Sequence, residues 1–179
     1  FHHEPFSKHL EKMLQSFEGR KSVSLCDIEV FLADRGGAAL LLLLNLPFIT
    51  PIPLPGVSVV FGIAFIGLAF EIVRHKPPKL PKTLANRRID LSTLKKIVMA
   101  SRRVLILLEK LLKPRLSFFC TGAMRWFAGI SLSSASIAMA LPLPPVVPFT
   151  NAIPAFAIIF FALGFLEDDG LFILLGHLV

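Results

Sequence analysis

The run Leu46 to Gly56 reads LPFITPIPLPG and sets four prolines, Pro47, Pro51, Pro53 and Pro55, inside an apolar stretch without charge. Proline lacks an amide hydrogen and its ring collides with the carbonyl one turn back, so no continuous α-helix is expected to cross this run. As one straight helix, Gly36 to Phe70 would reach about 50 Å at 1.5 Å per residue, against a hydrocarbon core of about 30 Å. The expected solution is a helical hairpin in a lipid bilayer, one arm ending before Pro47 and the other starting after Gly56. Lipid cannot satisfy free peptide groups, so the break should pack in protein or line a wet cavity.

The same device recurs. Leu141 to Pro154 reads LPLPPVVPFTNAIP inside a second uncharged stretch, Trp126 to Leu166. Setting Pro47 on Pro142 also sets Pro53 on Pro148 and Phe61 on Phe156; one gap later Phe65 meets Phe161 and Glu71 meets Glu167. An arginine opens each stretch, Arg35 and Arg125, and an acid closes it. These correspondences indicate an internal duplication.

The chain is 54% hydrophobic and 17% charged, which points to a small integral membrane protein and away from a soluble domain. Arg74 to Leu116 holds thirteen Lys and Arg against Asp90 and Glu109. The positive-inside rule puts this segment in the cytoplasm. It is also the natural contact for anionic lipid head groups, with a merely solvated basic face as the alternative. Nucleic acid is not expected as a partner, because no aromatics interleave with these cations. Cys26 and Cys120 are isolated and His2 and His3 stand at the extreme start, so neither metal, cofactor nor disulfide is implied. No secretory signal precedes the first apolar stretch, and the hairpins themselves are expected to direct insertion.

Phe6, Leu10, Met13, Leu14 and Phe17 recur at helical spacing opposite Lys8, Glu11, Lys12 and Gln15. Ser24 is placed to cap a second helix with Asp27 and Glu29 in its first turn, Leu25, Ile28, Phe31 and Leu32 on its apolar face, and Gly36 past its end. Both helices are expected on the cytoplasmic surface, under the membrane part. A third amphipathic helix runs from Asp90 to about Lys113; Arg102 and Arg103 exclude an ordinary span, since one central Arg costs about 2.5 to 3.5 kcal/mol. Five segments result: 1–35, amphipathic cytoplasmic or interfacial helices; 36–73, the first broken hairpin; 74–116, the basic linker and helix; 117–167, the second broken hairpin; 168–179, an acidic turn and a partial apolar helix too short to span. The fold class is an all-α integral membrane protein, two proline-broken hairpins joined by a basic amphipathic helix. Both hairpins should open to the cytoplasm, giving a parallel duplication. An inverted one would need a crossing by residues 97–119, against the cost of Arg102 and Arg103.

Several ordered stretches resemble one family: RGGAALLLLLNLPFITPIPLPGVSVVFG, LPKTLANRR, LEKLLKPRL, ALPLPPVVPFTNAIPA and EDDGLFILLG. Together they are similar to the ExoD family of bacterial membrane proteins, from about Ser24 onward. The matching positions include Arg35, Gly36, Pro47, Pro55, Gly56, Arg115, Pro148, Asn151, Pro154, Asp169 and Gly170. The resemblance implies a role in exopolysaccharide synthesis or export in the bacterial cytoplasmic membrane, with multiple passes. It supplies no catalytic residues, and the sequence departs from the family's pattern at Val179, where members often continue through a further apolar helix.

Three classes of function are open to such a chain. As a small transporter, the chain would hold substrate at the breaks, where helix N-termini after Gly56 and Asn151 suit an anion such as the phosphate of a lipid-linked sugar. Asn45, Pro47, Thr50, Pro55, Gly56, Ser58, Thr150, Asn151 and Pro154 would line that path; the alternative role of the polar ones is to satisfy interrupted backbone. Arg35, Glu71, Arg125 and Glu167 would gate the cytoplasmic mouth, Arg35 with Glu167 and Arg125 with Glu71, or else simply snorkel at the boundary. As a non-catalytic accessory or scaffold subunit, the chain would dock polysaccharide synthesis proteins on its basic and amino-terminal helices. An enzyme is not expected: no HExxH, GxSxG, Walker loop or paired cysteines occur, and Glu167, Asp168 and Asp169 read as a solvated terminus rather than a cation site. The small residues Ala128, Ser131, Ser134, Ala135 and Ala138 form a face narrow enough for close helix approach, which points to packing and to a homodimer.

Overall fold

The protein is described by a computed structural model covering residues 5–49, 57–141 and 152–179. Its elements in order are α1 (Phe6–Ser16), β1 (Ser22–Ser24), α2 (Leu25–Leu32), α3 (Gly36–Ile49), α4 (Val57–Val73), α5 (Lys82–Ala85), β2 (Arg88–Asp90), α6 (Leu91–Leu111), α7 (Gly122–Ala140), α8 (Ala152–Leu166) and α9 (Gly170–Leu178). The three amphipathic helices form where their periodicity places them. Phe6, Leu10 and Met13 are the buried face of α1. Ser24 closes a capping box on α2: its Oγ accepts from the Asp27 amide at 3.1 Å, and the Asp27 carboxylate accepts from the Ser24 amide at 3.1 Å. Asp90 precedes α6, which buries Leu91, Leu94, Ile97, Val98 and Leu105.

A two-stranded antiparallel ribbon, Val23 opposite Ile89, joins the segments preceding α2 and α6. Three-residue strands are too short to show a period of two in the sequence, and this pairing was not anticipated.

The amphipathic helices do not lie beneath the bundle, as expected, but along it. Gly36 has φ +78, a left-handed conformation that glycine adopts without strain, and the chain folds back there. Leu25 and Ile28 of α2 consequently reach Leu43, Leu44 and Pro47 near the far end of α3. The α6 helix also packs on α3, and α1 packs on α6. Glu11 pairs with Arg102 at 3.1 Å, and the Glu109 carboxylate accepts from the Ser7 amide and hydroxyl at 2.6 and 2.7 Å. The cause is the uniform apolarity of α3: Leu40 to Leu44 are at most 3% exposed, and a helix apolar on every side needs cover on every side.

Four helices form the rest. The α3 helix packs on α8 and α4, and α7 packs on α4 and α8. The α3 and α4 helices run antiparallel, with Gly37 against Ile72 at one end and the Phe48 ring 5.8 Å from Phe61 at the other. The α4 and α7 helices are antiparallel as well: Gly129 meets Val73, and Gly62 meets Ser136 and Ala140. The tail folds α9 back on α8, where Gly164 meets Ile173 and Gly176 meets Phe161.

Two further expectations need correction. The first arm does not stop before Pro47; α3 continues through it to Ile49. Pro47 lies within a turn of the described helix end, so the one missing hydrogen bond is that of the Leu43 carbonyl, and the break is less costly there than mid-helix. The close approach of α7 also uses a different set of small residues. Gly129, Ser136 and Ala140 meet α4 within the same chain, whereas Ser134 of the expected stripe is exposed. Ser133, Ser134 and Ser136 each donate to the carbonyl four residues back, at 2.8 to 3.0 Å.

Among the described residues, one run, Leu25–Ile49, is long and apolar enough to cross a membrane by length and composition, but it comprises α2 and α3 folded back at Gly36, and most of it is buried in protein. Ser58–Val73 and Ala152–Leu166 are shorter apolar helices.

Candidate functional site

The antiparallel packing brings the start of α3, the end of α4, the start of α7 and the end of α8 to one end of the bundle. A cleft of about 420 Å³ opens there, walled by Arg35, Gly37, Ile72, Lys76, Arg125 and Phe165, with Asp34 and His75 at its margin. The two arginines that open the uncharged stretches thus share one site, although they are far apart in sequence.

Arg125 is the most constrained of these groups. Its guanidinium donates to the Ile72 carbonyl and, at 3.0 Å, to the Cys120 carbonyl, and it lies 5.1 Å above the Phe165 ring. Ile72 is in the last turn of α4, where carbonyls lack helical partners and a cation is favoured. The Arg125 Nε is buried and has no hydrogen-bond partner among the described residues. Arg125 thus lines the cleft half-buried among apolar groups, where a charge-assisted bond to a ligand anion would be worth more than in water.

Glu71 faces another way. Its carboxylate accepts from the Lys79 amide at 2.8 Å and its carbonyl from the Lys76 amide at 2.9 Å, which folds the start of the basic linker over the end of α4. Arg125 and Glu71 therefore have separate partners. Glu167 follows α8, its amide bonded to the Leu163 carbonyl at 3.1 Å.

The candidate path residues that the structure describes, Asn45, Pro47, Ser58 and Pro154, lie at the opposite end. Asn45 is completely buried in α3, and its side-chain amide donates to the Ala155 carbonyl of α8 at 2.7 Å. The Asn45 Oδ1 has no partner among the described residues. Pro154 is buried at the start of α8, where a missing amide hydrogen is tolerated, and Ser58 is half-buried at the start of α4. Thr50, Pro55, Gly56, Thr150 and Asn151 lie outside the described residues.

One group that the sequence led us to place in solvent is in fact interior. Asp169 is 0% exposed; its carboxylate accepts from the Lys113 amide at 2.9 Å and the Leu171 amide at 3.0 Å, and pairs with the Arg115 Nε at 3.5 Å. Gly170 donates its amide to the Arg115 carbonyl at 2.8 Å, and an ideal Cβ on it would lie 2.0 Å from the Leu116 oxygen. This knot ties the end of α6 to the start of α9. Its signal was the Asp-Gly pair opening an apolar helix, which is N-cap chemistry.

Residues 6–179 match the family described as "Exopolysaccharide synthesis, ExoD". Protein ExoD of Rhizobium meliloti (strain 1021) is 31% identical over 169 residues, which cover 94% of this chain and 70% of that protein. Uncharacterized protein slr1875 of Synechocystis sp. is 30% identical over 152 residues, covering 84% of this chain and 70% of that protein. No solved structure matches the chain.

Proposed function

This chain belongs to the ExoD family of exopolysaccharide synthesis, and from that membership we propose that it is a membrane-seated accessory protein binding an anionic group of a polysaccharide precursor. The observation that carries the reading is the convergence of Arg35 and Arg125 on one basic cleft. Guanidinium groups suit phosphate and carboxylate, which they bind through paired hydrogen bonds. No reaction is assigned to the chain.

The outer faces of α4 and α7 support a seat in the bacterial cytoplasmic membrane. Val60, Ile63 and Phe70 form one exposed stripe, and Trp126, Phe127, Ile130 and Ile137 form the other. An apolar surface of that extent marks a contact with lipid or protein. The opposite layer, α1, α2 and α6, carries charge along the whole bundle, with Lys96, Arg102, Arg103 and Lys110 exposed on α6. If the helices crossed the bilayer upright, these cations would stand at membrane depth. A sideways seat, with α4 and α7 in lipid, keeps them in water within reach of anionic head groups.

A second reading, a small transporter, is favoured by the meeting of the two interrupted stretches at Asn45 and Ala155, opposite the cleft. The pairing of α3 with α8 and of α4 with α7 is what a parallel duplication would produce. Against transport, Leu41, Phe65, Leu132 and Phe161 are buried between the two ends and would have to part.

Cysteine labelling in sealed vesicles tests both readings, after removal of Cys26 and Cys120. The accessory reading expects cysteines at His75, Met99 and through 46–56 and 142–154 to react, if at all, from one side only. It also expects cysteines at Ile63 and Ile130 to resist a water-soluble reagent. Labelling of the proline stretches from the opposite side would establish the transporter, and rapid labelling at Ile63 and Ile130 would remove the lipid seat.

A further inference from the structure

A second cavity, distinct from the basic cleft, lies where the ribbon and the start of α6 approach the far end of α3. Its volume is about 350 Å³, within the range of small-molecule sites, roughly 300 to 1,000 Å³. Ile28, Leu43, Leu44, Phe61, Leu94 and Ile97 form its walls, each at most 9% exposed. Such a surface accepts an apolar chain and nothing polar.

Its rim is chemically different. Arg87 and Arg88, consecutive and exposed, line the same cavity beside Thr93, and neither guanidinium forms a hydrogen bond or ion pair among the described residues. Val60 also lines it and is 41% exposed; it begins the outward apolar stripe of α4. One cavity therefore combines an apolar slot, a doubly cationic rim and an edge on the surface proposed to meet lipid. A free anion would leave the slot unused. An uncharged chain would leave the cationic rim unused, where Arg87 stands exposed and Arg88 feels only the more distant Asp27 carboxylate.

We propose that the cavity between α3, α4, β2 and α6 binds a single apolar chain ending in a phosphate, with the chain between Leu43 and Leu94 and the phosphate on Arg87 and Arg88. Guanidinium binds phosphate in a planar, paired geometry, and charge-assisted bonds of this kind are stronger than neutral ones. The slot stands on its own lining and does not depend on the Arg35 and Arg125 cleft. Two sources share the chemistry: an isoprenoid carrier phosphate and a straight-chain, single-chain lipid phosphate.

The test is the thermal midpoint of the full chain in an uncharged detergent, titrated with dodecyl phosphate, farnesyl phosphate, inorganic phosphate and dodecanol. The expected result is a saturable rise with the two chain phosphates and none with inorganic phosphate or dodecanol. Whichever chain phosphate saturates at the lower concentration identifies the source. Replacing Arg87→Gln and Arg88→Gln together, on the exposed rim where folding is not at issue, should weaken binding about tenfold or more. Leu94→Trp, which fills the slot, should also weaken it, whereas Arg35→Gln at the cleft should not. An equal rise with inorganic phosphate or with dodecanol overturns the proposal, as does unchanged binding in the double arginine variant. Loss of binding in Arg35→Gln alone would move the phosphate to the cleft and overturn it too.

Discussion

The side-chain amide of Asn45 in α3 is bonded to the Ala155 carbonyl in α8 at 2.7 Å, in a position closed to solvent. The bond joins the last turns of α3 to the first turn of α8, and so ties the two uncharged stretches together. Asn45 uses only its donor there, which makes the site sensitive to charge more than to polarity. Asn45→Leu should change the thermal midpoint little, because no acceptor is left unpaired beyond the helical bond of Ala155. Asn45→Asp should cost several times as much, roughly 2 to 3 kcal/mol or more, because it sets a carboxylate against a carbonyl in an apolar interior. Equal midpoints for the two variants would show that the bond does not form.

The Asp169 knot should be one of the most sensitive polar positions. Asp169→Ala removes an N-cap and orphans the Lys113 amide, for an expected loss of about 2 to 4 kcal/mol. Arg115→Ala should lose less, since the buried Asp169 carboxylate keeps its bonds from the Lys113 and Leu171 amides and Arg115 is only partly withdrawn from water. Chemical denaturation in detergent ranks them, and a larger effect at Arg115 would contradict the geometry.

Glycines separate the close contacts from the open ones. Gly170→Ala would drive a methyl group into the Leu116 carbonyl, a backbone atom, so the joint between α6 and α9 must shift. Gly62→Ala meets Ala140 and the Ser136 carbonyl at 2.7 Å and should push α4 away from α7. Gly67, in the same helix as Gly62, has nothing within 4 Å. Gly67→Ala should therefore be neutral or stabilising by up to about 1 kcal/mol from helix propensity. Unfolding midpoints in the order Gly67→Ala, wild type, then the other two are the expected outcome.

Reversing charge at Arg125 and Glu71 gives a test of the cleft. The two side chains have different partners, so Arg125→Glu should abolish exopolysaccharide output and the added Glu71→Arg should not restore it. Arg125→Lys should restore part, since an ammonium keeps the charge but cannot serve two carbonyls and a ring at once. Full rescue by the double reversal would mean that the pair acts as a gate after all.

Local features were legible from residues alone. The amphipathic faces of α1, α2 and α6, the Ser24 cap and the two uncharged stretches all follow from spacing and side-chain chemistry within one or two turns. The family was legible too, because it rests on ordered motifs. Contacts between segments were not. Periodicity states that Leu25 and Ile28 need cover but not that α3 provides it, and the reversal depends on the φ of Gly36. Asp169 reads as one of three solvated acids until the Lys113 amide is placed beside it. Arg35 and Arg125 look like boundary charges until antiparallel packing brings them to one cleft. The sequence determined which surfaces are apolar, which ends are charged and where helices run; the tertiary structure decided which of those surfaces meet. The reason is physical: burial energy is non-directional, so it demands partners without naming them, and only closure of the chain selects among the candidates.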